Sequence, residues 1–477
     1  MKWVLCVLLF VFSLSAFAEG LPDIADASQA ALSPEQEKQL GEEVMRNIRA
    51  DPSYLDDPEL TQYLDGLGQR LIVNSSMPGM TLNFFMIQDN TVNAFALPGG
   101  FIGVNTGLIL TAESESELAS VLSHEIGHVT QRHYARMAGE TKGSTMESLA
   151  ALAVAILAAR SNSQVSAAAL ASAQANAIQS QLDVTRAHEE EADRVGLDVL
   201  EKSGFDPRAM ASFFERLQKS TRLYENNAPV YLRDHPLTSQ RISEIENKVQ
   251  NYPYRQVVDS HDFWLLKERL LADQGNPNDA LSYFETALKE KKYENETAER
   301  FGLAEALYRV GQYGRAQKEL QKVEKVYGQN PIVDTMQGRV YLALGESKTA
   351  LSYYAKEIVS YPSYKAMIYD YAGALIDNGQ QKKALAIVSS ALEDDPKDYH
   401  LYQLRARSYA ALGKNLLQHQ AQAEAYYLAG NLPAAIDQLK LAEKSDDGDF
   451  YSRSMVEARL KALQAMAAGT EHKKKRH

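Results

Sequence analysis

The sequence predicts a mainly α-helical protein in two parts: an α+β domain around a small sheet, then an all-α solenoid. Three observations carry this. Gly311, Gly345, Gly379 and Gly413 recur every 34 residues. Between residues 81 and 105, strand-like runs flank the turn Pro98-Gly99-Gly100. The pentapeptide His124-Glu125-Ile126-Gly127-His128 lies within a stretch of helical apolar spacing, read as one amphipathic helix.

A chain of 477 residues is too long for one core, so two domains are expected. The net charge of −12 argues against nucleic acid as a partner, and the one dense basic run is Lys473 to Arg476 in the tail. Residues 1–18 are laid out as an export signal: Lys2, an apolar run from Trp3 to Leu14, then Ala16-Phe17-Ala18 before Glu19. That run is too short to span a bilayer. The single cysteine, Cys6, falls inside it. The exported chain is therefore expected to have neither a disulfide nor a thiol nucleophile, which suits a periplasmic or secreted protein.

In chain order, residues 33–72 read as helices, opened by the Ser33-Pro34-Glu35 cap. Thr81 to Gln88, Thr91 to Leu97 and Phe101 to Asn105 read as strands, and Ser114 to His133 as the helix carrying the pentapeptide. Residues 144–180 are alanine-rich, with an apolar core from Leu149 to Ala159 that is about half a membrane span. A buried or partner-facing helix is expected there, with a lid or membrane-surface contact as the alternative. Val184 to Glu201 is a further helix, stopped by Ser203-Gly204.

From about residue 258 the chain repeats. Ala316, Ala350 and Ala384 each follow a repeat glycine by five, and Gly275 with Ala280 begins an earlier copy. A glycine turn and a small residue every 34 positions are the marks of tetratricopeptide helix pairs. A last unit at Ala429 to Ala435 is half a period out of phase. Tyr353, Tyr354, Tyr371 and Tyr409 are expected on the concave surface. The division is 1–18 signal, 19–257 first domain, 258–468 repeats and 469–477 basic tail.

The pentapeptide carries the chemistry. Two histidines at i and i+4 share a helical face and can share one metal ion, while Glu125 can reach a water on that ion. This is the zincin-type metallopeptidase pattern, and it needs a third protein ligand. Glu189 and Asp193, in the run Glu189-Glu190-Glu191-Ala192-Asp193, also share a face. Glu189 can bind the metal while Asp193 holds a ligand histidine or serves the substrate nitrogen. Spacing leaves Glu190 as a rival, and a solvated acidic face as the plain reading. His133 reads as a supporting or core histidine, and His188 as exposed. His261, His400 and His419 lie outside the first domain. The strand around Asn93, Ala94, Phe95 and Ala96 can pair with an extended substrate backbone or simply pack the core.

HEIGH, the run Asn93 to Gly100 before it and EEEAD after it together resemble the HtpX-type and CAAX-prenyl-protease zinc metallopeptidases. The resemblance implies one zinc per chain, Glu189 as third ligand, Glu125 as general base and Asp193 as a catalytic aspartate. A His-Pro pair followed by an arginine also belongs to that pattern, here His235-Pro236 and Arg241. If His235 reaches the metal it fills the open position and closes the site; otherwise it is a loop histidine or a transition-state donor. Export signal, catalytic domain and repeat array in that order resemble the family's soluble periplasmic branch. This implies an endopeptidase and chaperone in outer-membrane protein assembly and quality control. Its partners would be unfolded or misassembled outer-membrane proteins, with the barrel-assembly machinery docked on the repeats. The alternative is a chaperone or scaffold acting through its repeats with the peptidase suppressed.

Overall fold

Ser33 starts the first helix, α1 (Pro34–Arg49), with a reciprocal cap: its hydroxyl accepts from the Gln36 amide, and the Gln36 side chain accepts from the Ser33 amide. The computed structural model describes residues 32–140, 175–222, 231–232 and 235–474. The export signal and the Leu149–Ala159 segment lie outside these residues. No helix among them is long and apolar enough to cross a membrane.

After β1 (Tyr54–Leu55) and α2 (Pro58–Ile72) come β2 (Asn83–Ile87), β3 (Ala94–Leu97) and β4 (Phe101–Asn105). They form a four-stranded sheet in the order β1-β2-β4-β3. β2 and β4 are parallel, and β1 and β3 are antiparallel to their neighbours. Alternation sorts the side chains by face. Phe84, Met86, Ala94, Ile102 and Val104 enter the main core, whereas Phe85, Phe95, Leu97 and Phe101 pack on Val44, Met45 and Ile48 of α1.

α3 (Thr106–Thr111) leads into α4 (Glu115–Thr130), the pentapeptide helix, capped by Ser114. It is not amphipathic as expected. Every residue from Glu115 to Gly127 is buried, making α4 the central helix of the domain. Its buried charges are matched: Glu115 accepts from Tyr63 and Ser260, and Glu117 from Arg216 at 2.6 Å. The helix also ends earlier than expected. Arg132 takes φ 52°, so His133 opens a separate helix, α5 (His133–Glu140). The domain continues through α6 (Ala175–Lys202), α7 (Arg208–Arg222) and α8 (Ser239–Val249).

The repeats follow as α9 (His261–Asp273), α10 (Pro277–Glu290), α11 (Glu296–Arg309), α12 (Tyr313–Tyr327), α13 (Pro331–Ala343) and α14 (Ser347–Ser360). They continue as α15 (Lys365–Asp377), α16 (Gln381–Asp394), α17 (Tyr399–Ala411) and α18 (Asn415–Leu428). Each of Gly275, Gly311, Gly345, Gly379 and Gly413 turns one helix into its mate at φ between 55° and 80°. Ala316, Ala350 and Ala384 are fully buried where the helices touch. Gly430, at φ 87°, forms the turn between α18 and α19 (Leu432–Glu443), one helix after Gly413, which is the half-period offset; α20 (Phe450–Lys474) follows. Two of the tyrosines expected on the concave surface are core residues instead. Tyr354 is 0% exposed and Tyr371 9%, and the Tyr354 ring fills the space left by Gly338.

The array returns to the first domain. Gln62 and Lys365 bond across the junction at 3.0 Å, Arg49 donates to the Leu428 carbonyl, and His400 meets Asp56 at 3.0 Å. Arg269 pairs with Asp57 and Glu59, and Arg339 reaches Glu59 at 3.0 Å. Between the two parts lies a cavity of about 2670 Å³.

One pair inside the array sets a pH response. Burial, helped by Glu294 and opposed by Lys267, pushes Glu268 up to about 7; burial and the neighbouring Glu268 push Glu299 up to about 8. The folded chain thus keeps protons that the unfolded chain releases near pH 4.5. Stability is therefore full below that pH and declines as the pH rises through 7 to 8. Glu299→Gln should flatten this decline and make the protein more stable at about pH 8.5 by on the order of 1–2 kcal/mol. Thermal unfolding of both proteins from about pH 5 to 8.5 checks it; parallel curves would contradict it.

Candidate metal centre

The crossing of α4 and α6 builds the centre. A Cβ on Gly127 would stand 2.9 Å from the Ala192 carbonyl, and one on Gly196 would stand 2.9 Å from the His124 amide. Two glycines therefore let the helix backbones touch. Glu189, just before this contact on α6, lands beside the two histidines of α4.

Donor atoms of four residues converge. His124 Nε2 lies 3.1 Å from His128 Nε2, 3.3 Å from Glu189 Oε2 and 3.3 Å from His235 Nδ1. His128 Nε2 lies 3.4 Å from Glu189 Oε1, and His235 Nδ1 lies 3.0 Å from Glu189 Oε1. A tetrahedral ion with bonds of about 2.0–2.1 Å needs donors about 3.3 Å apart, and the separations just given are close to that figure. The donor set, three imidazoles and one carboxylate, suits zinc.

The surroundings orient the donors. Asp193 Oδ1 lies 2.9 Å from His124 Nδ1. A carboxylate only accepts, so that nitrogen carries a proton, and Nε2 is the nitrogen turned to the cluster, where a bound cation would replace its proton. Arg241 grips Asp193 with Nε at 2.6 Å and Nη2 at 2.8 Å, reaches Glu189 at 3.0 Å and donates to the Pro236 carbonyl. Burial alone would raise both carboxyls. The His235 and His128 imidazoles hold Glu189 well below the usual range, and Arg241 and His124 hold Asp193 below its own. Burial would likewise depress His124, but the facing Asp193 and Glu189 lift it to about 10. The pocket is built to receive positive charge.

Glu125 differs from its neighbours. It is fully buried, neither oxygen accepts a hydrogen bond among the described residues, and its nearest charged neighbour is His235 Nε2 at 3.4 Å. An unsatisfied buried carboxylate beside the donors is where a proton acceptor for a reacting water belongs.

Of the residues singled out from sequence, His124, His128, Glu189 and His235 form one cluster. Glu125 faces it, and Asp193 stands behind His124. Glu190 is absent from the group. Phe95 and Ala96 line the large cavity with Glu125, His128, Glu189 and His235, whereas Asn93 and Ala94 are buried beneath. β3 is an edge strand of the sheet. His188, expected to be exposed, is buried and stacks on His133 with centroids 4.3 Å apart. Helical spacing reports only on the helix that carries His188, not on α5, whose His133 covers it.

Helical cradle and donor cluster together define a metallopeptidase carrying a tetratricopeptide array. The profile of Peptidase family M48 matches residues 58–249, and tetratricopeptide-repeat profiles match 271–340 and 335–399. The chain is 31% identical to the putative beta-barrel assembly-enhancing protease of Vibrio cholerae, over 97% of this chain and 96% of that one. It is also 31% identical to the beta-barrel assembly-enhancing protease of Escherichia coli, over 94% and 92%. A mitochondrial metalloendopeptidase of Schizosaccharomyces pombe matches at 29% over 44% of this chain and 60% of its own length. The chain belongs to the family of beta-barrel assembly-enhancing proteases.

Proposed function

We propose that the chain is a periplasmic zinc endopeptidase that degrades misassembled outer-membrane β-barrel proteins and also handles them as a chaperone. The observation that carries this is the four-residue donor cluster at the floor of a cavity shared by an edge strand and the repeats. Residues 1–18 would be removed on export, 19–257 form the peptidase domain, 258–468 the repeat array and 469–477 a basic tail.

One zinc per chain would be held by His124, His128 and Glu189, supplying Lewis acidity for amide hydrolysis. Glu125 takes the proton from the attacking water and returns it to the leaving nitrogen. Asp193 acts through His124, fixing its tautomer, and its grip by Arg241 argues against a direct role as proton donor. β3 offers its edge to an extended substrate strand, which suits clients whose own strand edges are unpaired. The cavity wall opposite, with Lys365, Tyr369 and Tyr399, belongs to the repeats and would meet the client or the barrel-assembly machinery.

His235 occupies the fourth donor position, so substrate must displace it before hydrolysis. The same occupancy favours the second reading, a chaperone or scaffold with its peptidase suppressed. His235→Ala should therefore hydrolyse an unfolded barrel protein faster than wild type, by about tenfold, since one ligand no longer competes. Chelator should abolish both activities. No gain in the variant ends the latch idea, and no chelator-sensitive hydrolysis by either protein ends the peptidase reading.

A further inference from the structure

His133 has no part in the chemistry above, yet it is buried against a proposed ligand. Its Nδ1 lies 2.9 Å from His128 Nδ1, and its Nε2 lies 3.2 Å from Glu191 Oε2. Glu191 is in turn held by Arg136 Nη1 at 2.7 Å. His188 stacks flat on the His133 ring, with 10° between the planes, and fixes its plane. The break at Arg132 is what makes this geometry. Had α4 run on, residue 133 would continue the old helix instead of opening α5.

We propose that His133, with Glu191 and Arg136, is a positioning residue that sets the tautomer and ring angle of His128 for metal binding. This rests on the reading of His128 as a ligand. A carboxylate only accepts, so Glu191 requires the proton of neutral His133 on Nε2. His133 Nδ1 is then a bare acceptor, and His128 Nδ1, 2.9 Å away, donates to it. His128 is thereby left with a bare Nε2, the atom that stands 3.1 Å from His124 Nε2 in the cluster. The two α4 ligands are thus oriented by different devices: His124 by a carboxylate directly, His128 through an imidazole relay ending on a partly exposed ion pair. Ligand-orienting groups of this kind are typically worth 10–100-fold in metal affinity.

The test is zinc affinity by chelator competition, with the visible spectrum of the cobalt-substituted protein and the melting temperature of the metal-free protein measured alongside. His133→Phe keeps a ring to stack on His188 but removes both nitrogens, and should lose about 10–100-fold in zinc affinity and alter the cobalt spectrum. His133→Asn places an amide oxygen at the δ position and should stay close to wild type. Glu191→Leu, at a site 27% exposed, should lose about three- to tenfold, because His133 is then free to take either tautomer. Unchanged zinc affinity in both the phenylalanine and leucine variants overturns the proposal. So does a loss in His133→Phe matched by an equal fall in metal-free stability, which would assign the contact to packing. If His133→Phe does not fold, Glu191→Leu decides alone. Failure of wild type itself to bind zinc would instead overturn the metal-centre reading.

Discussion

Glu125→Gln should lower peptidase activity by about 10²–10⁴-fold while leaving fold and zinc content as they are. The substitution preserves shape at a fully buried position, and no hydrogen bond to either carboxylate oxygen is lost among the described residues. What disappears is the basicity. No other carboxylate replaces it: Glu189 is committed to the donor cluster, and Asp193 is gripped by Arg241 and His124. The measurement is hydrolysis of an unfolded barrel protein with zinc content determined on the same sample. Retention of more than about a tenth of the activity would mean that another group takes the proton. The same variant separates the two functional readings. If it restores envelope integrity to a deletion strain as fully as wild type does, the repeats carry the function and the peptidase is secondary.

How much of this was legible beforehand follows from how local each signal is. His124, Glu125 and His128 lie within one helical turn, so 3.6-residue periodicity alone places them together. Glu189 is harder. Spacing leaves Glu190 as a rival, and the choice between them is made by the Gly127–Ala192 and Gly196–His124 contacts, which no single helix encodes. His235 is more distant still, 46 residues beyond Glu189, and only the family's His-Pro pattern pointed to it. The errors share this origin. The apolar spacing of α4 read as amphipathic, yet its charged positions Glu115 and Glu117 are satisfied inside by Tyr63, Ser260 and Arg216. His188 looked exposed, and Tyr354 and Tyr371 looked available, because a helix cannot report which neighbour covers it. The repeats were legible throughout, since their signal is the recurrence itself.

Arg241→Met should cost on the order of 3–5 kcal/mol of stability, the usual penalty for stripping one partner from a buried ion pair. The guanidinium is 2% exposed and makes two bonds to Asp193, one contact to Glu189 and one bond to the Pro236 carbonyl. Methionine fills a similar volume, so the loss reports charge and hydrogen bonding more than packing. Without the arginine, two buried carboxylates are left with His124 alone between them. A divalent ion in the donor cluster would offset the charge on Glu189, so the loss should be larger in chelator-treated protein than in zinc-loaded protein. Arg241→Lys keeps the charge but cannot bond Asp193 with two nitrogens and still reach Pro236, and should fall between the two. Thermal unfolding of all three proteins, with and without chelator, provides the comparison. A loss below about 1 kcal/mol, or one that zinc does not reduce, would show that Arg241 is not the counter-ion on which Asp193 and Glu189 depend. The Pro236 bond adds a second consequence. Arg241 holds the backbone next to His235, so both variants should also loosen the latch, and their chelator-sensitive hydrolysis per folded molecule should rise in the direction of His235→Ala.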